Sequence, residues 1–211
     1  MTGFRNSVRT GLLLTGALLS ACSTVPPGNQ ELAARAQLYE DRQGQLVDAA
    51  SWSLQGRLAV RNDRDGGSGS FRWQEQARNT QMDFHGALGR GAWQLVAEPA
   101  GVVLERADGT SQRAGTIDEL VQGELGWSIP VDALRWWVRG LAAPGEVERR
   151  MLNETGSLAE LQQLDWTIEY GRYRSFQGFE LPVKMTARRQ DVSVKLAVKD
   201  WNLSWETAPD D

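Results

Sequence analysis

The chain has 211 residues, of which 41% are hydrophobic and 24% are charged, and its formal net charge is −4. This length predicts one or two domains, and an acidic chain disfavours nucleic acid as a partner. Tryptophan is unusually frequent, with nine residues, whereas cysteine occurs once. A single cysteine excludes an internal disulfide bond.

The first 21 residues have the features of a secretory signal peptide. Two arginines precede an apolar run over residues 11–19, and the small residues Ser20 and Ala21 follow it. The run is too short to span a bilayer, which needs about 20 apolar residues. Removal of this segment leaves 21 basic and 27 acidic residues, so the net charge becomes −6.

The only cysteine of the chain, Cys22, follows this segment directly. The tetrapeptide Leu-Ser-Ala-Cys over residues 19–22 resembles the lipobox of bacterial lipoproteins, in which the cysteine is lipidated and becomes the mature N-terminus. Each buried acyl CH₂ contributes about 0.8 kcal/mol, so several acyl chains form an effectively permanent anchor. Residues 22–30 are therefore predicted to be a lipidated tether, and Ser23 is similar to the pattern of outer-membrane lipoproteins.

After the tether, a helix is predicted over residues 31–47, and alternation of apolar and polar residues begins at Trp52. Each predicted strand has one apolar and one polar face. The acidic tail over residues 206–211 is predicted to lie outside the domain. About eleven short strands are predicted, over residues 52–61, 70–76, 82–88, 93–97, 102–106, 110–113, 147–152, 158–163, 166–170, 183–188 and 192–199.

Two short helices are predicted between the sixth and seventh strands. Thr116 begins the first with a capping-box pattern, and Gly126 ends it. Pro130 suits the first position of the second helix, and Gly140 suits its end. The second helix needs a surface to lie on, because its residues at helical spacing are apolar: Val131, Leu134, Trp136, Trp137 and Val138.

These elements predict one strongly curved antiparallel sheet with helices. A sheet of about eleven strands curls rather than stays flat, and it encloses more volume than a small barrel fills with its own side chains. From the residues alone, the inward aromatic side chains form either a solid core or the lining of a ligand cavity, and the second helix is either a core plug or a lid. The inward face is predicted to include Trp52, Trp73, Phe84, Trp93 and Trp166.

The sequence lacks the patterns of common enzyme sites. His85 is the only histidine and lies on the polar face of a predicted strand, and no cluster of cysteine and histidine could bind zinc. Residues 66–70 differ from a nucleophile elbow at the last position, and no glycine-rich segment continues as a phosphate-binding loop. We therefore predict that the protein is not an enzyme and that it uses neither a cofactor nor a metal ion.

Several motifs resemble those of the LolB family of outer-membrane lipoproteins. Each motif is weak alone, but their order and spacing over nearly the whole chain are specific. Besides the lipobox, they are Trp52-x-Leu-x-Gly-Arg57-Leu-Ala, Ser70-Phe-x-Trp73, Gly86-Ala-Leu-Gly89, Leu125-Gly-x-x-Ile-Pro130-Val-x-x-Leu134-x-x-Trp137-Val-x-Gly140, Gln163-Leu-Asp-Trp166-x-Ile-x-Tyr170 and Leu181-Pro182.

The resemblance implies a fold, a location and an activity. The fold is an unclosed antiparallel β-barrel of about eleven strands with a helical lid over an apolar cavity, in a single domain over residues 31–205. The protein is expected to be a monomer on the periplasmic face of the outer membrane, anchored through Cys22. It is expected to receive client lipoproteins from a periplasmic carrier similar to LolA, to bind their acyl chains, and to insert them into the outer membrane.

The resemblance also implies roles for particular residues. Leu88 matches the exposed apolar residue of a protruding loop that delivers the client to the membrane, although it could instead continue the inward face of its strand. We hypothesise that the following residues form the cavity or its lid: Trp52, Trp73, Trp93, Ile129, Leu134, Trp136 and Trp137.

Two alternatives remain open. A structural or assembly lipoprotein would have a solidly packed barrel, no cavity beneath residues 129–140, and an outer face that binds a protein partner. A periplasmic sensor for a small apolar ligand would share the cavity but would not need the Leu88 loop.

Overall fold

The computed structural model describes residues 27–63, 66–77, 79–86 and 91–205. The predicted signal peptide, Cys22, Leu88 and the acidic tail lie outside the described residues. Within these ranges the chain forms three helices, α1 (Pro27–Val47), α2 (Ile117–Leu125) and α3 (Val131–Trp137). The strands are β1 (Ser51–Arg61), β2 (Gly66–Gln76), β3 (Asn79–Gly86), β4 (Trp93–Glu98), β5 (Gly101–Arg106), β6 (Ser111–Ala114), β7 (Arg149–Leu152), β8 (Leu158–Gln163), β9 (Trp166–Phe176), β10 (Phe179–Arg189) and β11 (Val192–Ser204).

The strands form one antiparallel sheet in the order β6-β5-β4-β3-β2-β1-β11-β10-β9-β8-β7. Strands β6 and β7 are the two edges of this sheet, although they follow each other along the chain. The sheet is therefore unclosed, and α2 and α3 occupy the connection between its edges. The predicted open barrel of eleven antiparallel strands is confirmed. None of the described helices is long and apolar enough to cross a bilayer.

The period-two pattern of the strands places one face of the sheet in the core. In β1, for example, Trp52, Leu54, Leu58 and Val60 are buried, whereas the residues between them are partly or fully exposed. The five aromatic residues predicted to face inward are all buried. A bulge between Gln55 and Gly56 in the pairing of β1 with β11 adds local curvature.

Several element ends differ from the sequence prediction. Helix α1 begins at Pro27, four residues earlier than predicted. Strand β2 begins at Gly66, four residues earlier than predicted, because its glycine-rich start pairs with the end of β1. Strands β9 and β10 extend to a two-residue turn at Gln177 and Gly178, both with positive φ. Backbone pairing thus continues where the alternation of side chains is weak.

Helix α3 differs from the prediction at its start. Pro130 precedes the helix as its N-cap, and Val131 is the first helical residue. The Val131 backbone N–H donates to the carboxylate of Asp118 in α2, at 2.9 Å. A remote side chain therefore caps α3, which no local sequence pattern shows. The capping box at Thr116 and the left-handed Gly126 after α2 are as predicted.

Helix α1 packs against the segment that follows α3. Tyr39 is fully buried, and its hydroxyl accepts a hydrogen bond from the Ala142 backbone N–H at 2.9 Å. The Arg42 guanidinium donates to the carbonyl oxygens of Gly140 and Glu180, each at 3.0 Å. Because these bonds join three distant segments, α1 fixes the residues that directly follow α3.

The fully buried side chain of Gln163, in β8, is the polar centre of this region. Its Oε1 accepts hydrogen bonds from the Trp137 indole N–H and the Ala143 backbone N–H, both at 2.9 Å. Its Nε2 donates to the carbonyl oxygens of Ala143 and Glu146, at 2.8 and 3.2 Å. In addition, the Tyr170 hydroxyl donates to the Trp137 carbonyl oxygen at 2.9 Å. The C-terminal end of α3 is thus fixed to β8 and β9.

The substitution Gln163→Leu is expected to lower the free energy of unfolding by about 3–5 kcal/mol, because it leaves several buried donors and acceptors without partners. Denaturant unfolding of the purified domain measures this change. The matched control is Gln162→Leu, whose side chain is only half-buried and donates to Glu160. Equal effects of the two substitutions would contradict a central role for Gln163.

Candidate functional site

A wholly apolar cavity lies between the inner face of the sheet and the helical segment. Helices α2 and α3 and their connection form one wall, and strands β1, β2, β3, β4, β10 and β11 form the other. The cavity is lined by Leu58, Val60, Phe71, Trp73, Met82, Trp93, Val121, Leu125, Trp127, Ile129, Val131, Leu134, Val138, Met185, Val194 and Leu196.

The space inside the cavity is small in this structure, with a volume of about 40 Å³. One water-sized sphere needs roughly 10–15 Å³ by this measure. The cavity therefore has room for only a few such spheres, which is much less than a lipid acyl chain requires. A larger ligand can enter only if the helices move away from the sheet.

Aromatic rings pack together at and beside the cavity wall near β3 and β4. Phe84 and Trp93 stack with ring centroids 5.5 Å apart. Trp127, in the connection between α2 and α3, meets both rings edge-on at 6.2 and 6.3 Å. This connection therefore contacts the sheet through aromatic rings, and the Ser128 hydroxyl also accepts a hydrogen bond from the Arg189 guanidinium of β10 at 3.3 Å.

The structure places four of the seven predicted cavity and lid residues around the cavity. Trp73 and Trp93 contribute from the sheet, and Ile129 and Leu134 contribute from the helical side. The positions of the lining residues on the strands follow from the period-two pattern, which the sequence shows directly.

The other three predicted residues lie outside the cavity lining. Trp137 is fully buried beside the part of α3 that lines the cavity, and it packs against Trp166 with centroids 6.0 Å apart. Trp52 packs between Trp73 and Trp201, at 5.3 and 5.9 Å. The predicted apolar stripe of α3 is thus divided, because one part faces the cavity and the other part packs against β8 and β9.

Trp136 is half-buried and belongs to a stack around Arg139. The Arg139 guanidinium lies 4.9 Å from the Trp136 ring centroid and 5.5 Å from the Trp52 centroid. It also donates to the Leu46 carbonyl oxygen at 2.9 Å. Burial lowers the pKa of Arg139 to about 10, and the nearby Glu75 carboxylate acts in the opposite direction. Arg139 therefore remains charged at neutral pH.

Glu75 connects the cavity wall to the lid helix. The Trp73 indole N–H donates to one carboxylate oxygen of Glu75 at 2.7 Å, and the Thr80 hydroxyl donates to the other at 3.0 Å. Arg135, in α3, lies 3.9 Å from the same carboxylate. Burial raises the pKa of Glu75 above its ordinary 4.5, although Arg135 and the two hydrogen bonds lower it.

Sequence reasoning missed part of the lining. Trp127, Val131 and Val138 lie in or beside the helices, where the stripe alone does not show which side faces the sheet. Met185, Val194 and Leu196 lie in strands that the sequence predicts, but their closeness to α3 depends on the curvature of the sheet. The described residues contain no group of three or more His, Cys, Asp or Glu side chains that could hold a metal ion.

An open antiparallel barrel with a helical segment over a wholly apolar cavity defines a class of proteins that can enclose an apolar ligand. The family model described as outer membrane lipoprotein LolB matches residues 50–201 of this chain. The outer-membrane lipoprotein LolB of Pseudomonas aeruginosa is 37% identical over 186 residues, which cover 88% of this chain and 91% of that protein. The corresponding protein of Cellvibrio japonicus is 35% identical, with 90% and 94% covered.

This chain therefore belongs to the LolB family of outer-membrane lipoproteins. The resemblance and the outer-membrane location predicted from the sequence are confirmed. A crystal structure of a domain from Vibrio parahaemolyticus, described as an outer membrane lipoprotein-sorting protein, is similar with a TM-score of 0.51 and covers 80% of this chain and 91% of that domain. Its sequence identity is 8%, so this similarity concerns the fold alone.

The substitution Glu75→Gln is expected to remove a pH dependence of stability. Because the pKa of Glu75 is raised in the folded chain, the folded state binds this proton more tightly than the unfolded state does. The contribution of Glu75 to stability is thus largest below pH 4.5 and falls as the pH rises through the raised pKa. Denaturant unfolding from pH 4 to pH 7 tests this prediction. The free energy of unfolding of the variant, minus that of the unsubstituted chain, should rise with pH. A difference that stays constant or falls with pH would contradict a raised pKa for Glu75.

Proposed function

We propose that this protein is an outer-membrane receptor that accepts lipoproteins from a periplasmic carrier by binding their acyl chains, and that it then inserts them into the outer membrane. The observation that supports this proposal best is the cavity beneath α2 and α3, whose lining residues are all apolar. The names of the relatives and their high coverage of the chain support the same activity.

The physical requirement for such a receptor is an apolar enclosure. Each CH₂ group of an acyl chain that leaves an apolar environment costs about 0.8 kcal/mol. A cavity without polar groups offers the chain an environment similar to the bilayer, and it leaves no buried donor or acceptor unpaired. This lining therefore suits an acyl chain better than a polar ligand. It also disfavours a solidly packed barrel that acts only through its outer face.

The lid has to move for an acyl chain to enter, because the cavity volume is only about 40 Å³. The C-terminal end of α3 is held by Gln163 and Tyr170, whereas Ile129 and Leu134 meet the sheet through apolar contacts. We expect the segment around Ile129 to move outward while Trp137 stays in place. An entering acyl chain would then replace the apolar contacts that the moving segment gives up.

Transfer by this mechanism runs down a gradient of affinity. The sequence contains no phosphate-binding loop, so we expect no nucleotide to drive it. The receptor binds acyl chains more tightly than the carrier, and the bilayer accepts them in turn. Lipidation at Cys22 would keep the domain within reach of the membrane throughout, because only a short tether separates that residue from α1.

The substitution Val194→Phe tests the role of the cavity. Val194 is buried in β11 and lines the cavity, so a larger side chain occupies volume that the acyl chain would use. We expect affinity for a client lipoprotein loaded on the carrier to fall roughly tenfold, since overpacking a filled site costs about 1–3 kcal/mol. The measurement is transfer of a fluorescently labelled lipoprotein from carrier to receptor.

The matched control for this test is Val103→Phe, on the outer face of β5, where the side chain is half-exposed and does not line the cavity. Transfer to this variant should equal transfer to the unsubstituted chain. If both variants fold and accept lipoprotein equally well, acyl chains do not bind in this cavity.

Leu88 is proposed to act in delivery rather than in acceptance. In the substitution Leu88→Glu, a charged side chain opposes contact of the loop with the hydrocarbon region of the bilayer. We expect transfer from the carrier to remain normal and insertion into vesicles to stall, and Leu88→Phe should retain both steps. Loss of acceptance in Leu88→Glu would instead assign Leu88 to the cavity or to the surface that contacts the carrier.

A further inference from the structure

The outer face of the four central strands β10, β11, β1 and β2 is strongly basic, although the whole chain is acidic. The acidic residues exposed on these strands are Glu180 and Asp200. We call this surface the basic face, and all three lysines of the chain lie on it. Its exposed cationic residues are Arg57, Arg61, Arg72, Lys184, Arg188, Lys195 and Lys199.

The strand register places these charges close together. Ala197 of β11 pairs with Arg57 on one side and with Lys184 on the other. The same row continues from Lys184 to Arg172 in β9. Neighbouring strands are about 4.8 Å apart, so the row from β9 to β1 spans roughly 14 Å. Lys195 lies two residues from Ala197 along β11, on the same outer face.

These cations have few acidic neighbours. Among the described residues, none of Arg57, Lys184, Lys195 and Lys199 forms an ion pair, whereas Arg188 pairs with Glu169 at 2.6 Å. A groove of about 740 Å³ lies beside the bulge of β11 at Lys199, between that residue and the side chains of Arg57 and Arg72. One carboxylate, that of Asp83, also lines this groove, and it accepts hydrogen bonds from Gln81 and Gln94.

The composition of the basic face indicates the kind of partner. The outward side chains between the cations are small or polar, such as Ser70, Ala59 and Ser193, and the aromatic side chains of these strands point inward. Protein–protein interfaces are enriched in aromatic residues and depleted in Lys, Ser and Ala. A broad array of cations without an apolar anchor suits dispersed phosphate groups better than the surface of a protein.

We propose that the basic face docks on the anionic phospholipid headgroups of the membrane to which the protein is anchored. The proposal goes beyond acyl-chain binding, and it rests on the lipid anchor proposed at Cys22. Lysine and arginine side chains close to an anionic membrane surface are attracted to it. The anchor already holds the domain at the membrane, so these contacts need only orient it. The anionic headgroups repel the acidic remainder of the surface, which favours the orientation with the basic face toward the membrane.

The test uses the lipidated full chain in vesicles that carry a nitroxide quencher on their headgroups. Because Cys22 is lipidated, a cysteine introduced by Ala197→Cys is the only free thiol and takes a fluorescent label on the basic face. The comparison label, introduced by Val103→Cys, lies on the outer face of β5, where Glu98, Glu105 and Arg113 are neighbours. No client lipoprotein is present, so the result does not depend on acyl-chain transfer.

We expect the label at position 197 to be quenched several-fold more than the label at position 103 in vesicles that contain phosphatidylglycerol. This difference should disappear in purely zwitterionic vesicles and at high salt, because salt screens exposed charges. The double substitution Lys195→Glu with Lys199→Glu should also abolish it. The matched control, Arg113→Glu with Arg149→Glu, changes the net charge equally at the sheet edges and should preserve it.

Three results would overturn the proposal. The first is equal quenching at the two positions, and the second is quenching at position 197 that does not depend on anionic lipid. The third is an equal loss in the two double variants, which would show an effect of net charge rather than of this face. Binding of an acidic protein to the face, without quenching in anionic vesicles, would assign the basic face to a protein partner instead.

Discussion

The open barrel and its helical cover both depend on the fact that the edge strands β6 and β7 do not pair. Ten neighbouring pairs of strands connect β6 to β7 through the whole sheet, yet these two edges do not pair with each other. Pairing would bring them to about 4.8 Å and close the barrel. Because the two edge strands are consecutive in the chain, their connection can cross the opening, and helices α2 and α3 lie in that connection. The inner apolar face is therefore covered by a segment that belongs to no strand and can separate from the sheet without breaking the ladder.

The contacts that hold this segment differ along its length. At the start of α3, the carboxylate of Asp118 caps the helix, and at its end Gln163 and Tyr170 fix Trp137 through hydrogen bonds. Between these points the cavity lining is apolar, and the only charged contact described above is that of Arg135 with the Glu75 carboxylate of β2, at 3.9 Å. Hydrogen bonds are directional and expensive to leave unmade, whereas apolar contacts can be exchanged for those of another apolar group. The segment is thus positioned by its polar contacts, and in the proposed mechanism its apolar contacts are exchanged for those of a lipid chain.

The two faces of the sheet have opposite properties because side chains alternate along every strand. In β11, Val194 and Leu196 face the cavity, while Lys195 and Lys199 face outward. The same short sequence therefore contributes to an apolar cavity and to a cationic surface. In a protein of net charge −4, this arrangement concentrates positive charge on the central strands and leaves the rest of the surface more acidic. In the functions proposed above, the inner face of the sheet binds the ligand and the outer face orients the domain toward a charged surface.

The sequence by itself determined the number and order of the strands, the two helices between the sixth and seventh strands, and the inward positions of Trp73 and Trp93, because these follow from local periodicity and capping patterns. The family also followed from motifs and their spacing. Only the tertiary structure decided that Trp137 turns away from the cavity, that Trp52 stacks beside Arg139, and that Asp118 caps α3. Each of these depends on contacts between segments distant in the chain, and an apolar stripe does not specify which of two apolar surfaces it meets. The cavity and the basic face likewise arise from sheet curvature and strand register, which are properties of the assembled fold.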